Sequence, residues 1–432
     1  MKKNGGILLP MLLAIFAIVL SVASCVTEPD RASGVLSRKG KEPTVAVAPN
    51  GTIAIAYGYQ DSLFYQQSVD HGATFDEPQI IGSLKNLPLV MGSGPQICVT
   101  NDLTTIIAPG NGGSLYAWTR DANETTWQGP NQINDIDGSA AESLVASTFV
   151  DESTVIAVWI DTRPMAADSG MEHAGHKDSS VNPATGEMSD KLIKSKYPDE
   201  NGTLRWVVRN ANGEVVEAED IDSYREFVKR NEHLAPPKAK LFAALSPDGG
   251  ITWGADYLIY ASPSGSICEC CKPSVVADDN GNVAVLFRND LEGNRDMYLA
   301  LSNDAGVSFG TAEKQGIESW PLNGCPMDGG SVAIDAAGNV QVIWQRKGVV
   351  YTGNAQESEL ERAKGKNGRV AVANNGLFFA WLEEGSVMLQ TPGPASAELM
   401  GHGNALQLAA NALQDRVVLV WSSDDQVQYS VQ

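Results

Sequence analysis

Along most of the chain, apolar and polar residues alternate in short runs broken by Asn/Asp-Gly turn signals. This is the pattern of half-buried β-hairpins rather than of helices. It recurs as PTVAVAPNGTIAIAYG from Pro43, PSVVADDNGNVAVLFR from Pro273, SVAIDAAGNVQVIWQR from Ser331 and GRVAVANNGLFFAWLE from Gly368. Looser copies start near Gly94, Leu144 and Asn404, so seven hairpins are expected. Each carries apolar alternation on both sides of a tight turn, which gives it one face to bury.

A second motif follows several of these hairpins. Ser68, Asp70, Gly72, Thr74 and Phe75, then Ser246, Asp248, Gly250, Thr252 and Trp253, then Ser302, Asp304, Gly306, Ser308 and Phe309 all fit S-x-D-x-G-x-[TS]-[WF], and residues 119–127 form a degenerate copy. The motif resembles the Asp-box, or BNR repeat, of sialidases and related β-propellers. Its local logic is clear: the aspartate accepts from turn amides, the glycine permits positive φ, and the aromatic plugs the space between neighbouring sheets. The resemblance implies an all-β propeller of four-stranded antiparallel blades, seven by the hairpin count, with the sialidase number of six as the alternative. The last blade lacks an obvious fourth strand, which a segment near Val35 to Arg38 would supply. Blade three carries an insertion at about 164–238, with a hairpin in TLRWVVRNANGEVVEAE and a short helix expected over 221–233. This arm suits a lid or the docking of an envelope partner.

Outside the repeats, Lys2 and Lys3 precede an apolar run, Ile7 to Val22, that ends in Val22-Ala23-Ser24-Cys25. This reads as a secretory signal peptide, and the run is at the short limit for a transmembrane anchor. The cysteine resembles the lipobox of bacterial lipoproteins. That implies residues 1–24 as the leader, Cys25 as the lipidated membrane anchor, 25–41 as a tether and 42–432 as the propeller, held in the cell envelope, at the outer membrane. The formal net charge of −21 argues against nucleic acid as a partner.

In propellers of this kind, the turns between second and third strands and the links between blades crowd one face, opposite the Asp-boxes. Tyr57, Tyr59, Asp61, Asp161, Arg163, Arg288, Asp290, Arg346, Glu383, Glu384 and Asp424 should lie there. Solvated turn residues are the plain alternative for most of them. Three arginines from consecutive blades, Arg163, Arg288 and Arg346, could grip a carboxylate, with Tyr59 beside them. The sialidase resemblance implies an arginine triad, a tyrosine nucleophile helped by a glutamate, and an aspartate acid/base. Arg288 and Arg346 match the later two arginines and Asp61 the acid, whereas Tyr351 is the candidate tyrosine. Lys41 stands where the family has its first arginine, and an ammonium cannot reproduce the guanidinium fork. A glycoside hydrolase acting on acidic sugars is therefore the alternative function.

With Cys25 set aside, five cysteines remain: Cys98, Cys268, Cys270, Cys271 and Cys325. Cys268-Glu-Cys270-Cys271 lies in the link into blade four and Gly324-Cys325-Pro-Met327-Asp-Gly-Gly in the link into blade five, both on the crowded face. One reading is one or two structural disulfides with Cys98 a buried thiol. The other is a soft-metal site of Cys268, Cys270, Cys271, Cys325, Met327 and His402, with copper the first choice and zinc the second. Met91, Met171, His173, His176 and Met400 are further soft donors expected on that face. The two motifs together resemble a subgroup of bacterial sialidase-like propeller proteins. The leading expectation is a lipid-anchored envelope propeller whose Cys-lined mouth binds a small molecule, glycan or metal ion. A docking scaffold is the third.

Overall fold

The structure, a computed structural model, describes residues 31–90, 92–163, 238–263, 265–354, 359–393 and 396–432. It also describes the strands Ile193–Pro198, Leu204–Arg209 and Val215–Glu217. Among these residues there is no helix. Seven antiparallel blades form the ring, and all seven expected hairpins are the first two strands of a blade. The count is seven, not six, because the strand Ala32–Ser37 pairs with Gln426–Val431 and completes the last blade. The segment expected as tether thus contributes a strand to the ring.

The insertion leaves blade three between its second strand, Val155–Asp161, and its third, Lys240–Ser246. The hairpin expected within it is present, Leu204–Arg209 against Val215–Glu217, with Ile193–Pro198 on the other side. The helix expected over 221–233 lies outside the described residues, as do the leader, Cys25, Met91, Met171, His173 and His176.

Second strands are more apolar than simple alternation suggests. Val155–Asp161 is buried throughout, because a middle strand is covered on both faces by neighbouring blades. Small and large side chains alternate instead, as in Ala54, Ile55, Ala56 and Tyr57, so adjacent sheets interdigitate. The core is a ring of apolar clusters between blades. Ile156 and Val158 meet Val283 and Val285 between blades three and four, and Val45 and Ile55 meet Val418 and Val420 where the last blade meets the first.

The three Asp-boxes share one hydrogen-bond plan. In the copy at 246–253, the Ser246 hydroxyl donates to Asp248 (2.9 Å) and accepts from the Gly250 amide (2.6 Å). The Thr252 amide and hydroxyl donate to the two oxygens of Asp248 at 2.8 and 2.7 Å. Gly250 takes φ of +101°, which a side chain would resist. The box also ties blades together: the Thr105 and Thr119 hydroxyls of blade two both donate to the Gly249 carbonyl at 2.5 Å. Trp253 packs into the apolar cluster between blades two and three.

Candidate functional site

At the face opposite the Asp-boxes, the ring opens into a cavity of about 600 Å³. Its wall is built where innermost strands begin and where links arrive, and it includes Lys41, Glu42, Lys272, Asp328, Lys366 and Arg369. Blades one, six and seven enter it through the same device. A β-bulge separates Lys41 from Thr44, Lys366 from Arg369 and Asn404 from Gln407, and Glu42, Asn367 and Ala405 within these bulges take φ of 48°, 54° and 50°.

The charges in the cavity are unequally committed. Lys41 pairs with Asp425 at 2.9 Å. Asp328 accepts from the Gly330 and Asn367 amides at 3.1 and 2.7 Å, so its carboxylate fastens the link before blade five to the start of blade six. Glu42 accepts from the Gly92 amide. Lys272 and Arg369, both half-buried, form no ion pair within 4.0 Å among the described residues. The Lys272 ammonium donates to Gln96 (2.5 Å), and Arg369 donates through Nε to Gln407 (3.3 Å) and through Nη1 to the Gly368 carbonyl (2.9 Å). Burial, followed by the nearby Arg369 charge, pulls the Lys272 ammonium down to about 7, with Glu42 opposing. Burial likewise lowers Arg369, against Asp328 and Glu42. These two cations have donors to spare. A second recess of about 520 Å³ lies at the Asp-box end of the ring and has Asp151, Glu152, Asp278 and Asp279 on its wall.

The cysteine links converge as expected. A disulfide joins Cys270 to Cys325 across a separation of 55 residues. Cys268 and Cys271 are free and buried, with their sulfurs 3.2 Å apart, and Cys268 lies 3.5 Å and Cys271 4.0 Å from the Cys270 sulfur. The Cys268, Cys270 and Cys325 sulfurs all lie within 4.8 Å of one another, a spacing that could hold a metal ion. The hydrogen bond shared with Cys271 holds the Cys268 thiol below its ordinary value in spite of burial, helped by Arg295 and Arg288, while burial drives Cys271 up. Cys98 is buried and free, and burial pushes its thiol up to about 12. The cluster adjoins the mouth through the chain itself, because Cys271 precedes Lys272 and Cys325 lies shortly before Met327 and Asp328. The two links touch so closely that a Cβ on Gly329 would lie 1.7 Å from the Lys272 carbonyl oxygen.

Other expected donors are placed elsewhere. Met327 is exposed on the mouth wall. His402 stands on Glu398–His402, the outermost strand of blade six, 3.4 Å from the Ser386 hydroxyl, and does not join the sulfurs. Met400, on the same strand, packs against the apolar cluster between blades six and seven.

Nor do the three arginines converge. Arg288 is 1% exposed, and its guanidinium donates to the carbonyls of Asp328 (2.9 Å), Arg295 (2.6 Å) and Gln345 (3.0 Å), which makes it a strut beneath the mouth. Arg346 grips Glu359 with both Nη atoms, lies over the Tyr351 ring and is raised chiefly by the Glu359 contact. Arg163 bridges the buried Asp161 (2.7 Å) and Asp256 (2.5 Å). Asp61 is exposed and caps the following link by accepting from the Asn86 amide at 2.9 Å. Tyr59 lies under the Lys39 ammonium. The sequence pattern does not single out Lys272 and Arg369, because neither stands just past a second strand. The available signal was Arg369 itself, which occupies the position held by Thr44 in the first hairpin copy.

No family model matches this chain, and no curated protein matches it. Solved structures do. An α-L-arabinanase of Penicillium chrysogenum complexed with arabinobiose is similar at 11% identity, over 93% of this chain and 98% of that one, with a TM-score of 0.43. A polysaccharide lyase described as an ulvan lyase matches at 9% identity over 92% and 95%, TM-score 0.46. The intramolecular trans-sialidase of Ruminococcus gnavus with oseltamivir carboxylate matches at 9% over 92% and 96%, TM-score 0.41. These likenesses concern the wheel and say nothing of its chemistry.

Proposed function

We propose that this protein is a ligand-binding propeller of the bacterial envelope, lipid-anchored through Cys25, whose mouth takes a small anionic ligand such as an acidic sugar. What carries the reading is the pair Lys272 and Arg369, two half-buried basic side chains on one cavity wall without an ion pair among the described residues, of which Lys272, lowered by burial and by Arg369, would be held protonated by a bound anion. Nη2 of Arg369, which has no hydrogen-bond partner among the described residues, and the remaining protons of the Lys272 ammonium can donate to an oxyanion in a setting where charge-assisted bonds are strong. The insertion at 164–238 serves as an arm for an envelope partner. Calorimetric titration with N-acetylneuraminate and glucuronate tests the reading. Arg369→Gln and Lys272→Met should each weaken binding at least about tenfold, or about 1.4 kcal/mol. Equal affinity in wild type and both variants would remove the mouth as the site. Metabolic labelling with palmitate, lost in Cys25→Ala, tests the anchor.

A second reading follows from the convergent sulfurs. With the Cys270–Cys325 bond reduced, Cys268, Cys270, Cys271 and Cys325 together offer a thiolate donor set that suits copper(I) first and zinc next. Competition of the reduced protein with bathocuproine for copper(I) tests it, and a stoichiometry that does not fall in Cys268→Ser counts against it.

A further inference from the structure

The cysteines have a second kind of chemistry that neither ligand reading uses. Cys268 and Cys271 are spaced Cys-x-x-Cys and their sulfurs are 3.2 Å apart, close enough to bond after a small rotation. The same Cys268 sulfur is 3.5 Å from Cys270, one half of the existing disulfide. The free pair is buried, whereas Cys325 is exposed and Cys270 half-buried. A buried dithiol thus stands in contact with a disulfide that reaches solvent.

The geometry points to an intramolecular thiol–disulfide exchange that moves the disulfide from the Cys270–Cys325 pair to the Cys268–Cys271 pair. Cys268, having released its proton, attacks the Cys270 sulfur. The Cys268–Cys270 bond forms as the Cys270–Cys325 bond breaks, and Cys325 leaves as a thiolate that takes up a proton. Cys271, deprotonated in turn, attacks Cys268, forms the Cys268–Cys271 bond and frees Cys270 as a thiolate, which is protonated. Cys268 and Cys271 are together oxidised by two electrons and Cys270 and Cys325 reduced by the same two, so no external oxidant is required. The outcome is a pair of thiols, Cys325 exposed and Cys270 half-buried, able to exchange with a disulfide carried by another molecule. Metal is not needed for this step, and it stands or falls independently of the anionic ligand.

An irreversible trap reads the exchange. The full chain is incubated anaerobically with a chelator and N-ethylmaleimide, quenched in acid and mapped by mass spectrometry. Progressive alkylation of Cys270 and Cys325, with recovery of a Cys268–Cys271 disulfide peptide in equal amount, is the expected result. In Cys268→Ser, alkylation of Cys325 should slow by about tenfold or more, because the attacking sulfur is gone. Cys271→Ser should instead stop at a Cys268–Cys270 bond with only Cys325 alkylated, and an unchanged circular dichroism spectrum would show that each variant folds. The proposal is overturned if the Cys270–Cys325 bond persists in the folded wild type, or if Cys325 is alkylated as fast in Cys268→Ser.

Discussion

The two faces of the wheel are built on opposite plans. On the Asp-box face, the bonds that shape each turn join partners two to four residues apart, as in Ser68, Asp70, Gly72 and Thr74, and the plan repeats at Ser246 and Ser302, with a cross-blade tie such as Thr105 to Gly249 added to it. At the mouth, partners lie far apart in sequence: Arg288 reaches Asp328 and Gln345, Asp328 reaches Asn367, and Cys270 is bonded to Cys325. The internal bonds of such a turn can be copied from blade to blade. Remote contacts exist only once the wheel has formed, and each can be used once.

That contrast can be broken by substitution, with effects that should fall in order. Arg288→Ala strands three carbonyls beneath the mouth and should cost about 3–5 kcal/mol in urea unfolding. Gly329→Ala forces a methyl against the Lys272 carbonyl, with backbone on both sides, and should cost roughly 1–3 kcal/mol while weakening glucuronate binding in calorimetry. Asp304→Asn, in an exposed turn, should move the neutral-pH unfolding midpoint least. Should it prove as damaging as Arg288→Ala, local and remote construction would not differ in weight.

Acid sharpens the same contrast. Hydrogen bonds from the Ser302 and Ser308 side chains, then the Ser308 amide, hold Asp304 down to about 2 from an ordinary value of 3.8, and Asp70 is held down to about 2 chiefly by Thr74. A carboxylate lowered by folding contributes stability that is present above the unfolded value and lost as pH falls through the folded one. The Asp-box share should therefore be intact above about pH 4 and disappear toward pH 2. The double variant Asp70→Asn/Asp304→Asn should show a shallower loss of melting temperature across that window, measured by circular dichroism.

What could be read from the chain follows the same division. Hairpins, boxes, the blade-three insertion and the closing strand near Val35 were legible because each repeats a short pattern or fills a gap left by one. The approach of Cys268 to Cys325 was legible too, because both sit in links on one face. The strut at Arg288 and the cations at Lys272 and Arg369 were not, since their roles depend on which remote carbonyls and carboxylates lie beside them. An arginine after a second strand looks alike whether it faces a ligand or three carbonyls; only burial separates the cases.

The ladder between Ala32–Ser37 and Gln426–Val431 joins the earliest described strand to the latest. The early strand is made long before its partner exists and stays unpaired until the last strand is available. Circle closure therefore cannot precede the last strand. A chain stalled short of Gln426 would expose a bare strand edge, an invitation to chaperones or to aggregation.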